Sequence, residues 1–115
     1  MAFSRFEEIL VWQKAKGLTL KLYSLFLENR DFGFKDQLQR ASVSIMNNIA
    51  EGFERQTHKE FRQFLYIARG SCAEVRSMLF LAVELSYLET VHFEFLMEDS
   101  VEISRMLTGL IKSLN

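Results

Sequence analysis

Arg62, Arg69 and Arg76 recur every seven residues. At helical pitch such a step nearly completes two turns, so the three guanidinium groups form one row with about 10 Å between neighbours. Lys59 extends the row toward its N-terminal end. Tyr66 and Phe80 follow Arg62 and Arg76 by four residues, so arginines and aromatics interleave. Arginine holds phosphate and aromatic rings stack on bases, so the row is a candidate nucleic-acid surface. The spacing also fits arginine stems packed over the aromatics, or guanidinium groups paired with acids of a neighbouring subunit.

A second constellation lies in Gln37 to Arg55, QLQRASVSIMNNIAEGFER. Leu38, Ala41, Ile45, Ile49 and Phe53 recur at steps of three and four and make an apolar face. Gln37, Arg40, Ser44, Asn47 and Glu51 recur at the same steps beside it, with Asn48 adjoining. A solvated face is one reading of this stripe. The other is a buried network in which Arg40, Ser44, Asn48 and Glu51 bond to one another or to Ser71 and Glu74. In a buried network, removing Glu51 would strand Arg40, because an unpaired buried charge is costly.

Other chemistry is absent from the spacing. His58 and His92 have no partner at metal-ligand spacing, and Glu51 and Glu54 lack the Glu-x-x-His companions of a di-metal bundle. There is no Gly-rich phosphate loop and no G-x-S-x-G. Cys72 falls on an apolar stripe, which predicts a buried, inert thiol. The expectation is no catalytic residue, no metal site and no cofactor.

The elements that position these groups read as four helices. The first runs from Ser4, with Glu7 in a capping box, to about Glu28. The second runs from about Phe34 to Glu54, after Gly33 as the breaker. Gly52 in its last turn weakens the helix or admits a close neighbour. The third, about His58 to Ser86, is capped by Thr57 and Glu60. Its core stripe reads Phe61, Phe64, Leu65, Ala68, Cys72, Val75, Met78, Leu79, Ala82 and Leu85. Tyr66, Ile67, Phe80 and Leu81 lie outside that stripe, more apolar circumference than an isolated bundle covers. The fourth, about Val91 to Leu114, carries Phe93, Leu96, Ser100, Ile103, Leu107, Leu110 and Leu114 as its stripe. Short connections predict an all-α, antiparallel up-down-up-down four-helix bundle forming one domain over residues 1–115.

Composition agrees with this. Of 115 residues, 49% are apolar and none is proline, which favours long helices over a turn-rich β fold. The net charge of −1 is far from the strongly basic balance that alone announces a nucleic-acid binder. The charge is uneven, with 12 basic and 9 acidic groups in residues 1–76 against 2 and 6 in residues 77–115. A single cysteine permits no intrachain disulfide and fits a reducing cytosol. No signal peptide and no membrane span are read, so the expected location is cytoplasmic.

With these motifs laid out, the chain resembles the bacterial four-helix-bundle family of intervening-sequence proteins, named for genes lying inside insertions of large-subunit ribosomal RNA genes. The resemblance rests on Trp12, Gln13 and Ala15, then Gln37, Arg40, Ala41, Ser44 and Ile45, then NIAEGFER, Asn48 to Arg55, then KEFRQFLYIARGSCAE, Lys59 to Glu74. Many members carry proline where this chain has Met46, so the second helix is expected to run straighter here. The resemblance implies a homopentamer without enzymatic activity. The family is also similar to the pentameric accessory protein of diversity-generating retroelements, which works with a reverse transcriptase and RNA. The expected function is a non-enzymatic oligomeric bundle that binds RNA or a ribonucleoprotein partner such as a reverse transcriptase. The alternative is a protein-interaction scaffold without nucleic-acid contact.

Overall fold

The structure, a computed structural model, describes residues 3–115; the first two residues of the expected domain lie outside them. Four helices pack up-down-up-down into a bundle of 43 × 22 × 20 Å. They are α1 (Leu10–Leu25), α2 (Phe32–Phe53), α3 (His58–Glu84) and α4 (Thr90–Ser113). Each helix packs against its sequence neighbours, and α4 closes back on α1. Helices α1 and α3 therefore lie diagonally across the bundle, and so do α2 and α4.

The chain enters differently from the expected helix start at Ser4. Phe6–Glu8 form one 3-10 turn, and the extended Ile9 separates it from α1. The Ser4 amide and hydroxyl bond to Glu8 at 3.1 and 3.0 Å, not to Glu7. Burial explains the break, because the extended residue places Ile9 in the core. The second helix starts two residues earlier than expected. Asp31 caps it, accepting the Phe34 amide at 3.2 Å, so Gly33 sits inside the first turn. Thr57 caps α3, accepting the Glu60 amide at 3.1 Å. The third helix ends in a Schellman closure. Ser86 takes φ 60°, and the Tyr87 amide donates to the Ala82 carbonyl at 2.9 Å.

The core is one contiguous cluster running the length of the bundle. Of the stripe expected on α3, Phe64 is half-buried and Leu85 exposed; the other eight are buried. At one end Phe26, Phe34 and Tyr87 stack in series, with ring centroids 6.0 and 5.4 Å apart. The Tyr87 hydroxyl donates to Asp31 at 2.7 Å, tying the α3–α4 turn to the start of α2.

That bond holds the Asp31 carboxyl below the ordinary aspartate range, with the Phe34 amide adding to the effect. A carboxyl lowered in the folded state contributes stability above its unfolded pKa and loses it as pH falls through the folded one. Tyr87→Phe is expected to be less stable than the parent at neutral pH. The gap should close on acidification below the ordinary aspartate range, where the carboxyl protonates in both folded and unfolded chains. Urea unfolding of both proteins across pH 2–7 checks this, and a gap independent of pH would exclude it.

Candidate functional site

The arginine row forms because α3 runs unbroken through all three residues. The row lies along the seam between α3 and α4, and each of its arginines is half-buried. Arg62 Nη1 donates to the Leu114 carbonyl at the end of α4. Arg69 Nη1 donates to Thr108 Oγ1 at 3.1 Å, and its guanidinium carbon lies 5.0 Å from the Tyr66 ring centre. Arg76 Nη1 lies 3.8 Å from Cys72 Sγ. Among the described residues none of the three is within ion-pair distance of a carboxylate. The arginines thus have uncharged partners inside the chain and keep further donors for an anion. Lys59 is exposed at the start of α3, and Tyr66 and Phe80 are exposed beside the row. Phe80 also meets Phe93 of α4 edge to face at 5.4 Å.

Sequence reasoning missed the α4 side of this seam. Thr108 accepts from Arg69 while donating to the Ser104 carbonyl at 3.0 Å. The signal was present, because Ser100, Ser104 and Thr108 repeat every four residues along one line of α4. Cys72 is fully buried and donates to the Ser100 carbonyl at 3.1 Å. Burial pushes its thiol up, and the nearby Arg76 offsets part of that rise. Such a thiol is a poor nucleophile.

The polar stripe of α2 divides into two parts. Ser44 Oγ and Ser71 Oγ share a hydrogen bond of 2.9 Å across the α2–α3 seam. Asn48 donates to the Ser44 carbonyl at 2.8 Å and to its hydroxyl at 3.0 Å. These three are half-buried. Arg40, Glu51 and Glu74 stand outside this group and are exposed, against the expectation of a buried network. Arg40 pairs with Asp36 one turn away, at 2.8 Å. Glu74 instead meets the Gln37 amide at 3.4 Å. The reason is rotational. Arg40 and Glu51 point away from α3, whereas Ser44 and Asn48 lie at its edge. Within this chain Glu51 therefore leaves no buried arginine stranded when removed.

A further charged cluster joins α1 to α4. Lys21 Nζ lies 2.7 Å from Asp99, and Lys14 Nζ lies 3.7 Å from Asp99 and 3.4 Å from Glu102. Among the described residues no group of histidine, cysteine and carboxylate side chains could hold a metal ion. No described helix is long and apolar enough to cross a membrane.

Comparison with known proteins places this arrangement. The chain is similar to a crystal structure from Bacteroides thetaiotaomicron VPI-5482, described as a protein with unknown function from the S23 ribosomal protein family. The two share 27% identity with a TM-score of 0.83, over 89% of this chain and 98% of that one. No curated protein matches the chain. Residues 7–109, from the 3-10 turn through most of α4, match the 23S rRNA-intervening sequence protein family. With the match running through α1, α2, α3 and most of α4, the chain belongs to the 23S rRNA-intervening sequence protein family.

Proposed function

We propose that this protein is a non-enzymatic, oligomeric four-helix bundle that binds RNA along the seam between α3 and α4. The observation that carries this reading is the row Arg62, Arg69 and Arg76. It is held by uncharged acceptors, has no carboxylate partner among the described residues, and is flanked by exposed Tyr66 and Phe80. Half-buried guanidinium groups with fixed stems lose little conformational freedom when they meet a phosphate. The family's name, which links it to ribosomal RNA insertions, supports the same partner class, and the expected pentamer rests on the resemblance. The reverse transcriptase partner implied by that resemblance would reach this protein through shared RNA.

Changing the three arginines to glutamine is expected to weaken single-stranded RNA binding and to flatten its dependence on salt by about two units of slope, three phosphate contacts at roughly 0.7 each. Titrations at two salt concentrations read this, with circular dichroism confirming an intact bundle. An unchanged slope assigns the row to holding α3 against α4. The scaffold reading is favoured by the apolar residues exposed on α1 and α3, and it predicts partner binding that is insensitive to salt.

A further inference from the structure

Helix α4 carries a charged row of its own. Glu98, Arg105 and Lys112 recur every seven residues, the same step as Arg62, Arg69 and Arg76 on α3. All three are exposed. Arg105 and Lys112 are also the only basic residues in the acidic stretch 77–115. Arg105 lies one turn before Thr108 and Lys112 one turn after it, so the two flank the residue that receives Arg69.

Contacts across the seam fix how the two rows align. The Cys72 thiol meets the Ser100 carbonyl, and Phe80 meets Phe93. Arg69 reaches Thr108 and Arg62 reaches Leu114. The helices therefore run antiparallel in one register. In that register Lys112 stands level with Arg62, Arg105 with Arg69, and Glu98 with Arg76. Two levels set a cation beside a cation, and the third sets Arg76 beside a carboxylate.

The two flanks of α4 treat charge in opposite ways. Toward α1, Asp99 and Glu102 receive Lys14 and Lys21. Toward α3, Arg105 and Lys112 stand beside arginines. Among the described residues neither is within ion-pair distance of a carboxylate. Lys112 favours the helix dipole at the end of α4, but Arg105 in mid-helix has no such role. Like charges gathered on one surface repel each other and oppose the compact state, and a bound polyanion removes that repulsion. The excess sits at the end of the bundle where α3 begins and α4 ends, with exposed Lys59 beside it.

We infer that Arg105 and Lys112 contact the RNA, so that its phosphates are held from both helices, and that Glu98 marks where the strand leaves the surface. This rests on the RNA reading proposed above and gives its site a second row and a direction. Arg62 with Lys112, and Arg69 with Arg105, make two basic levels about 10 Å apart along the bundle. Arg76 is the weak end of its own row, because Glu98 repels a phosphate there.

Titration of a fluorescently labelled single-stranded oligouridylate at several salt concentrations tests this. Arg105→Gln with Lys112→Gln should flatten the salt dependence by about 1.4 units of slope, two contacts at roughly 0.7 each. Both side chains are exposed, so circular dichroism should be unchanged. Glu98→Lys completes the third level and should steepen the slope by about 0.7 units. Lys16→Gln with Arg30→Gln removes the same charge from exposed positions outside the seam and should leave the slope nearly as it was. An equal loss from that control pair would mean that net charge matters and position does not, which overturns the inference. A slope that falls for the α3 arginines but not for Arg105 and Lys112 would overturn it while leaving the RNA reading in place. A Glu98→Lys protein with the parent's slope would overturn the direction assigned to the strand. If neither row affects the slope, the RNA reading falls and this inference with it.

Discussion

Phe26→Ala is expected to lower the stability of the bundle by about 3–5 kcal/mol, the range for truncating a fully buried aromatic. Phe26 has no exposed surface and caps the C-terminal end of α1. Its ring packs 6.0 Å from Phe34, which packs on Tyr87, whose hydroxyl bonds to Asp31. Truncation therefore opens a cavity where the end of α1, the start of α2 and the α3–α4 turn meet. Asp31 caps the start of α2 and Ser86 closes the end of α3, so the site cannot collapse without disturbing a cap. At about 4 °C per kcal/mol for a domain of this size, the melting temperature should fall by more than 10 °C. Calorimetry at one fixed protein concentration reads this, because assembly makes the midpoint depend on concentration. A fall of only two or three degrees would show that the end cluster repacks freely.

Gly52→Ala is expected to destabilise the protein by about 1–3 kcal/mol, even though alanine favours a helix more than glycine does. An added Cβ would stand 2.7 Å from Phe64 Cβ, 2.9 Å from Phe61 Cδ1 and 3.3 Å from the Phe61 carbonyl. Phe64 Cβ is fixed to the α3 backbone and cannot rotate away, so the two helices must part. The propensity gain is smaller here than in mid-helix, because Phe53 is the last helical residue. Gly109→Ala supplies the control. Its Cβ meets open space, and it should stabilise α4 by about 1 kcal/mol. Urea midpoints moving in opposite directions for the two variants, at unchanged slope, are the expected result. A stabilised Gly52→Ala protein would mean that α2 and α3 are less closely packed than these distances state.

The periodicity of this sequence was enough to determine four helices, their order and nearly all of the core. Three- and four-residue steps of apolar side chains place those side chains on one side of a helix whatever surrounds it. The buried state of Cys72 was legible for the same reason, and Thr57 was legible as a cap from its residue type three positions before Glu60. The arginine row was legible as a row, since a seven-residue step is a local property.

What the row and the polar stripe touch was decided only in three dimensions. Arg40 and Ser44 stand one turn apart in the same stripe, yet Ser44 meets Ser71 and Arg40 meets solvent and Asp36. Arg69 found Thr108, 39 residues away, and Gly52 proved to be the place where two helices touch. Each outcome depends on how far one helix is rotated and how closely it is set against another. Those two quantities come from the fit of all side chains in a seam at once.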